Sequence, residues 1–167
     1  MKETSYINEN SKVITLLKNI HRFSIFSDND INALLKLSKI REYETGEVII
    51  KEDTFDSWIY FLLSGSLDII KNGKIITHMS RCGDVFGEMG VIDGSARSAT
   101  IQAATKSLVL AMDGSIVDRQ INDDQIGFCY IIYRMFAEVL AIRLRETTEE
   151  YTALKEEYAK LKDNREV

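Results

Sequence analysis

The chain has 167 residues, of which 45% are hydrophobic, and it carries a formal net charge of -5. A chain of this length normally forms one domain with a sizeable core, and its acidic balance argues against a general nucleic-acid surface. No apolar run approaches the roughly 18 residues that a membrane helix needs, and the polar N-terminus contains no signal-peptide stretch. The composition therefore predicts a cytoplasmic protein with neither a membrane nor a nucleic-acid partner.

The two cysteines give no sign of a metal centre. Cys82 and Cys129 are far apart in the sequence and have no nearby histidine partners. Zinc and iron–sulfur sites need clustered ligands, so we expect reduced thiols and no bound metal.

Residues 1–45 are expected to form N-terminal helices, because apolar residues recur there at helical spacing from residue 8 onward. The two apolar faces consist of Val13, Leu16, Leu17 and Ile20, and of Ile31, Leu34, Leu35 and Leu37. Ser27 precedes the second face, and Asp30 stands three residues later. This spacing predicts a capping box at the start of the second helix.

Residues 46–122 change to short strand-like runs separated by turn residues. The runs cover residues 48–50, 58–63, 67–70, 74–78, 99–103 and 108–112. Asn72-Gly73, between two of them, predicts a type I′ hairpin, because both turn positions need a positive φ. Several short strands with regular turns indicate a small antiparallel barrel.

Within that region, residues 83–100 have the chemistry of a phosphate site. Gly87 leaves backbone amides open at the start of a short helix, where an anion is favoured. Arg97 offers a planar guanidinium that can bond two phosphate oxygens, with the small Ser98 and Ala99 beside it. Glu88 accepts hydrogen bonds only, which suits a sugar hydroxyl. The segment is typical of a nucleotide monophosphate site, although a plain Glu88–Arg97 salt bridge closing a surface loop is the alternative.

The pattern of these residues resembles the phosphate-binding cassette of cyclic nucleotide-binding domains. Its motif positions are filled by Phe86, Gly87, Glu88, Arg97, Ser98 and Ala99. The resemblance implies that Glu88 binds the ribose 2′-hydroxyl and Arg97 the exocyclic phosphate oxygens, with Met89 among the ligand-binding residues of cassette 86–99. Many members have proline before the arginine. Here Ala96 stands in its place, so a more mobile loop is expected.

The resemblance also implies a fold and a pocket. The family fold is a jelly-roll-like antiparallel β-barrel, so the expected class is α+β, with N-terminal helices, a short cassette helix and a long C-terminal helix. Relatives usually place a turn glycine where Asp53 stands, so an altered turn is expected there. By resemblance Ile69, Ile76 and Thr77 line the sugar and base pocket, although apolar strand residues are as often plain barrel core. His78, without an acidic partner nearby in the sequence, is expected at a strand surface as neither a catalytic base nor a haem ligand.

Residues 123–167 are expected to form one long helix from about residue 125 to 163. Its alternating four- and three-residue steps give a coiled-coil seam of Tyr130, Tyr133, Ala137, Leu140, Leu144, Thr147, Tyr151, Leu154, Tyr158 and Leu161. A seam this long predicts a parallel homodimer with flanking Glu and Lys residues bridging the strands. In an alternative arrangement only the second half of the helix pairs.

One seam position departs from the apolar rule. Thr147, followed by Thr148, places hydroxyls where a coiled coil prefers Leu or Ile. The pair is similar to a Thr-Ser pair in the dimer helix of the catabolite activator protein branch, whose hydroxyls contact the adenine amino group. This similarity implies that cAMP binds at the dimer interface and that the helix caps its adenine. In the alternative, Thr147 is only a polar residue that the seam tolerates.

The sequence predicts a single domain that acts as a regulatory receptor for a cyclic nucleotide, cAMP in preference to cGMP, and passes occupancy to its dimer helix. The chain shows no nucleophile with its base and no hydrolytic carboxylate pair, so we expect no catalytic residues. The charged helix ends without a helix-turn-helix, and an unidentified effector protein is the expected output. Two alternatives remain, a nucleotide-free dimerising scaffold that docks a partner and the sensor half of a truncated transcription regulator.

Overall fold

The computed structural model of the chain describes residues 1–3, 11–115 and 126–163. It divides into two compact units, Met1–Ile131 and Ile132–Val167. The predicted helical residues 8–10 and the predicted helix start near residue 125 lie outside the described residues.

Two short helices form the N-terminal part. Helix α1 spans Ser11–Lys18, a 3-10 turn spans His21–Phe23, and α2 spans Asp28–Lys36. The predicted capping box is confirmed. The Ser27 hydroxyl accepts from the Asp30 N–H at 3.2 Å, and the Ser27 N–H donates to the Asp30 carboxylate at 2.8 Å.

The prediction of helices through residue 45 is wrong over its last part, because a strand, β2, spans Ser38–Tyr43. Helix α2 ends where the Leu37 N–H and the Ser38 hydroxyl both donate to the Leu34 carbonyl, at 3.2 and 2.6 Å. The residues beyond it pair with a strand about 70 positions later, between residues 107 and 112. This long-range pairing overrides the local helical spacing.

Within the described residues, nine strands form two antiparallel sheets. Their bounds are β1 Lys2–Glu3, β2 Ser38–Tyr43, β3 Val48–Ile50, β4 Trp58–Ser64, β5 Leu67–Lys71, β6 Lys74–Met79, β7 Val85–Phe86, β8 Thr100–Ala103 and β9 Ser107–Asp113. One sheet has the order β1-β2-β9-β4-β7 and the other the order β3-β8-β5-β6. All six strand-like runs of the sequence are confirmed, with ends shifted by one residue or less.

The main core lies between the two sheets. It contains Tyr43, Tyr60, Leu62, Phe86, Val109 and Ala111 of the first sheet and Ile50, Leu67, Met79, Ile101 and Ala103 of the second. On the other face of β4, the Phe61 ring lies 5.2 Å from that of Phe23 in the N-terminal part. The five-stranded sheet therefore has buried side chains on both faces, and this explains the unbroken apolar run of β4.

Two turns have the backbone geometry that the sequence predicts. Asn72 and Gly73 join β5 to β6 with φ values of 51° and 74°, as a type I′ hairpin requires. Asp53 adopts a left-handed φ of 63°, a conformation that aspartate tolerates better than most residues.

Two further helices lie in the part of the chain that the structure describes, the short α3, Glu88–Asp93, and the long α4, Ile126–Asp163. Helix α4 has 38 residues and is therefore about 57 Å long. Its buried side chains are Ile132, Met135, Phe136 and Val139. The described residues contain no helix long and apolar enough to cross a membrane. The predicted α+β architecture is confirmed.

Candidate functional site

The cassette follows β7, a two-residue strand at the edge of the five-stranded sheet. After β7 the chain turns at Gly87, whose φ of 83° is left-handed, and α3 then runs from Glu88 to a second left-handed glycine, Gly94. A Cβ built on Gly87 would lie 2.8 Å from the Trp58 carbonyl oxygen and 3.0 Å from Arg97 Nη1. Glycine is therefore required at position 87 both by its backbone angle and by the close approach of two neighbours.

Arg97 is buried, with 3% of its surface exposed, and is bound on several sides. Its Nε donates to Asp56 Oδ2 at 3.1 Å, and its Nη2 donates to Asp56 Oδ1. The same Nη2 also donates to the Trp58 carbonyl at 2.6 Å, and Nη1 donates to the Gly87 carbonyl. These four bonds use four of the five guanidinium hydrogens and leave one on Nη1. The arginine is thus held in a fixed orientation against the residue that opens α3.

Asp56 is a functional candidate that the sequence analysis missed. Its carboxylate accepts from both sides of the Arg97 fork and from the Trp58 N–H at 2.9 Å. Burial alone would raise the pKa of Asp56, but the hydrogen bonds from Arg97 and Trp58 and the charges of Arg97 and Arg41 lower it overall. No local pattern reveals this role, because 41 positions separate Asp56 from Arg97.

Glu88 occupies the first turn of α3 and is almost completely buried, with 1% exposure. The simple alternative of a Glu88–Arg97 salt bridge across an exposed loop does not describe this arrangement, because the carboxylate that binds Arg97 belongs to Asp56. Helix α3 has only six residues, so its dipole is weak, and Arg97 brings a full positive charge to the start of this helix.

The remaining cassette residues lie nearer the surface, and a second cation reaches them. The Ser98 hydroxyl donates weakly to the Met89 sulfur at 3.9 Å, and Ala99 is partly buried next to β8. Lys71 Nζ donates to the Ser98 carbonyl at 2.7 Å and pairs with Glu52 at 2.6 Å. Lys71, at the end of β5, was not predicted from the sequence.

Two of the three predicted pocket residues are paired. Ile69 and Thr77 are directly opposite each other in the β5–β6 pair, and Ile69 packs against the main core. Ile76 is 60% exposed and lies at a register shift of this pair, because Ile70 pairs with Ile75. The structure therefore brings Ile69 and Thr77 together, and the place of Ile76 in the pocket stays a prediction. His78 is exposed as expected, but it has an acidic partner, Asp68, at 2.6 Å across the same pair.

A cavity of about 360 Å³ lies beside the barrel core. It is lined by Met1, Arg41, Tyr43, Glu47, Val48, Ile49 and Tyr60. The charge of Arg41 is already paired there, since its Nε donates to the Glu3 carboxylate at 2.7 Å. Its guanidinium also lies 4.0 Å from the centre of the Trp58 ring. Burial raises the pKa values of Tyr43 and Tyr60. We assign no ligand to this cavity, because none of the cassette residues lines it.

The two threonines of the predicted base contact lie in α4, in the second unit. Thr147 and Thr148 are both exposed, and the Thr148 hydroxyl donates to the Leu144 carbonyl at 2.6 Å. The oxygen of the Thr148 hydroxyl can therefore still accept a hydrogen bond from a donor outside the helix.

Comparison with known proteins places these residues in a family context. The sequence model of the cyclic nucleotide-binding domain matches residues 40–124, which include the whole cassette. Over 125 residues the chain is 33% identical to the Pycsar effector protein BcPycTIR of Burkholderia cepacia, covering 74% of this chain and 39% of that protein. It is 28% identical over 81 residues to the cAMP-dependent protein kinase regulatory subunit of Schizosaccharomyces pombe, covering 48% of this chain and 20% of that subunit.

A solved structure agrees with the fold. A cyclic nucleotide-binding domain from Methylobacillus flagellatus superimposes with a TM-score of 0.72 at 19% identity, covering 84% of this chain and 80% of that one. The chain spans well under half the length of the curated relatives it matches.

Proposed function

This chain belongs to the cyclic nucleotide-binding domain family, and from that membership we propose that it is a receptor module that binds cAMP at its cassette and signals through its C-terminal helix. One observation carries the proposal. A buried arginine, Arg97, is held in a fixed orientation beside the buried Glu88 at the start of the cassette helix. A cation fixed in this way at low exposure is suited to a phosphate, because its orientation costs no further entropy on binding.

The proposed roles follow from the chemistry of each group. Arg97 binds the exocyclic phosphate oxygens with its remaining Nη1 hydrogen. It also uses the two hydrogens that it otherwise donates to the carbonyls of Gly87 and Trp58. Glu88 accepts a hydrogen bond from the ribose 2′-hydroxyl. Because the phosphate competes with the Gly87 carbonyl for the same guanidinium, binding changes the bond that ties Arg97 to the start of α3. This exchange is the first step by which occupancy is transmitted.

The preference for cAMP over cGMP rests on the hydroxyls of Thr147 and Thr148. The Thr148 hydroxyl hydrogen is used by the Leu144 carbonyl, so its oxygen is available only as an acceptor. Adenine offers an amino donor at the position where guanine has a carbonyl acceptor, so only adenine makes a favourable contact. A hydrogen bond to a neutral group contributes about 0.5 to 1.5 kcal/mol, and the upper end of this range corresponds to about tenfold selectivity.

Isothermal titration calorimetry tests the ligand. The chain is titrated with cAMP, cGMP, cCMP and cUMP, and the proposal expects cAMP to bind about tenfold more tightly than cGMP. Arg97→Ala should weaken cAMP binding by about 2 to 5 kcal/mol. Arg81→Ala is the matched control, because it removes the same charge from an exposed loop position. Binding by Arg97→Ala within threefold of wild type would contradict the cassette assignment.

The role of Glu88 is tested with a second ligand. Wild type should prefer cAMP to 2′-deoxy-cAMP, and Glu88→Gln should narrow that preference because an amide oxygen is a weaker acceptor than a carboxylate. An unchanged ratio of the two affinities in Glu88→Gln would remove the sugar contact from the proposal. Glu149→Gln, an exposed change in α4, controls for the lost charge.

A nucleotide-free dimerising scaffold is the second candidate function. It is favoured by the internal ion pair of Arg97, whose charge is already balanced by Asp56. If none of the four nucleotides gives a heat of binding while the chain dimerises, the scaffold function replaces the receptor function. In either case we propose that the chain is not itself an enzyme and acts through a partner protein.

A further inference from the structure

The tip of the β5–β6 hairpin is tied to the end of the cassette by one side chain. Lys71, the last residue of β5, donates from Nζ to the Ser98 carbonyl at 2.7 Å and pairs with the Glu52 carboxylate at 2.6 Å. Glu52 in turn accepts from the Asn72 N–H at 3.1 Å. Three segments that are far apart in the sequence, the turn after β3, the hairpin tip and the cassette, therefore meet at the ammonium group of Lys71.

The backbone of the cassette is held at three polar groups of residues 97 and 98. The Arg97 N–H donates to the Thr54 carbonyl at 2.9 Å, and the Arg97 carbonyl accepts from the Asp53 N–H at 3.0 Å. The third group is the Ser98 carbonyl, which Lys71 holds. The first two contacts join backbone groups, whereas the third depends on a side chain, so a single substitution can remove it.

Holding the Ser98 carbonyl also sets the direction of the next N–H. The peptide bonds of the described residues are all trans, and in a planar trans peptide the C=O and the N–H point in opposite directions. A rotation of the peptide group between Ser98 and Ala99 would therefore move the carbonyl of one and the N–H of the other together. Ala99 lies two positions after Arg97, the proposed phosphate ligand, and backbone N–H groups are good donors to phosphate oxygens.

We propose that Lys71 is a positioning residue of the nucleotide site. It holds the Ser98 carbonyl so that the Ala99 N–H is directed at the phosphate. The proposal rests on the proposed binding of a cyclic nucleotide at the cassette and extends that site to the hairpin. Glu52 keeps Lys71 in place, and hydrogen bonds from Lys71 and from a backbone N–H lower the pKa of Glu52. The charge of Lys71 is thus already paired, and its role is to orient the backbone without contacting the ligand.

Calorimetry with cAMP compares the two lysines on either side of this hairpin. Lys71→Met should weaken cAMP binding about three- to tenfold, the range expected for one lost hydrogen bond. Lys71→Arg should restore the affinity to within about twofold of wild type, because arginine can donate to both oxygens. Lys74→Met is the matched control, because Lys74 is exposed, lies opposite Lys71 in the β5–β6 pair and makes no ion pair with another described residue. Equal affinities of the two methionine variants would overturn the role of Lys71.

Phosphorothioate analogues test whether Lys71 acts on the phosphate. Each of the two diastereomers of cAMP phosphorothioate has sulfur, a weaker hydrogen-bond acceptor, in place of one exocyclic oxygen. Because the Ala99 N–H is directed at one of these oxygens, Lys71→Met should change the ratio of the two affinities at least about threefold. A general loosening of the structure weakens both alike, so an unchanged ratio would overturn the positioning role. The midpoint of urea unfolding should not move, because an ion pair whose lysine side chain is 43% exposed contributes little to stability.

Glu52→Gln separates positioning from a simple attraction between Lys71 and the phosphate. If Lys71 acted through its charge across space, neutralising Glu52 would leave that charge unbalanced and cAMP would bind more tightly. If Lys71 positions the backbone, Glu52→Gln loosens its hold and should weaken cAMP binding about two- to threefold. Tighter binding by Glu52→Gln would therefore overturn the proposal.

The same titrations distinguish this proposal from the proposed function. A wild-type chain that binds no cyclic nucleotide overturns both. A wild-type chain whose cAMP binding is lost in Arg97→Ala but unchanged in Lys71→Met retains the cassette site and overturns only the role of Lys71.

Discussion

Asp56 determines how the buried charge of Arg97 is tolerated in the folded chain. Its carboxylate binds both sides of the guanidinium, and the resulting hydrogen bonds and charges lower its pKa despite the opposing effect of burial. A carboxyl whose folded-state pKa is depressed contributes stability that is fully present above its unfolded pKa. That contribution is lost as the pH falls through the lower folded-state value.

Asp56→Asn should therefore destabilise the fold at neutral pH, because it leaves a buried cation without its counter-charge. The expected loss is about 1 to 3 kcal/mol, at the lower end because part of Asp56 is exposed. The variant should also lose less stability than wild type between pH 5 and pH 2. Urea unfolding at several pH values measures both effects.

Asp53→Asn is the control for this prediction. Position 53 has a left-handed backbone that asparagine also tolerates, and its side chain is exposed. It should leave neutral stability within about 0.5 kcal/mol of wild type. If Asp56→Asn and Asp53→Asn showed the same acid dependence, the Asp56–Arg97 pair would not be the source of the effect.

At the scale of elements, α3 begins and ends at glycines that differ in one respect. Gly87 and Gly94 both have left-handed φ values, 83° and 69°, but only Gly87 has near neighbours for an added Cβ. Gly94→Ala should cost about 1 to 2 kcal/mol of backbone strain. Gly87→Ala should cost roughly 1 to 3 kcal/mol more, because its methyl group would overlap the Trp58 carbonyl and contact Arg97.

Thermal or urea unfolding of the two glycine variants measures that difference, and calorimetry compares their affinities for cAMP. Gly87→Ala should weaken binding well beyond Gly94→Ala, since it displaces the carbonyl that positions Arg97, the proposed phosphate ligand. Equal losses in the two variants would mean that the close packing at Gly87 has no part in binding.

The elements also show where sequence reasoning succeeds and where it stops. The Asn72-Gly73 hairpin and the Ser27–Asp30 capping box were predictable because each depends on residues within four positions of one another. Strand β2 was not, because its pairing with β9 joins distant segments. The same limit applies to the site. The cassette motif is local and was found, whereas the role of Asp56 depends on a contact formed only when β4 and the cassette meet.

For the whole molecule, the question is whether nucleotide and dimer are linked through α4. Thr147 stands at a d position of the seam and is also a proposed base contact. If both roles hold, replacing the Thr147 hydroxyl by an apolar side chain must strengthen dimerisation and weaken nucleotide binding. Thr152, one turn further on and outside the seam, offers a control of the same residue type.

Thr147→Leu should tighten the dimer by about 1 to 2 kcal/mol, because it replaces a polar layer of the coiled coil with an apolar one. It should weaken cAMP binding by about 0.5 to 1.5 kcal/mol, the contribution of one hydrogen bond to a neutral group. Analytical ultracentrifugation over falling concentration measures the first effect and titration of the same sample measures the second. Thr152→Leu should change neither quantity appreciably. A Thr147→Leu chain that dimerises more tightly yet binds cAMP as wild type does would retain the seam and exclude Thr147 from the nucleotide site.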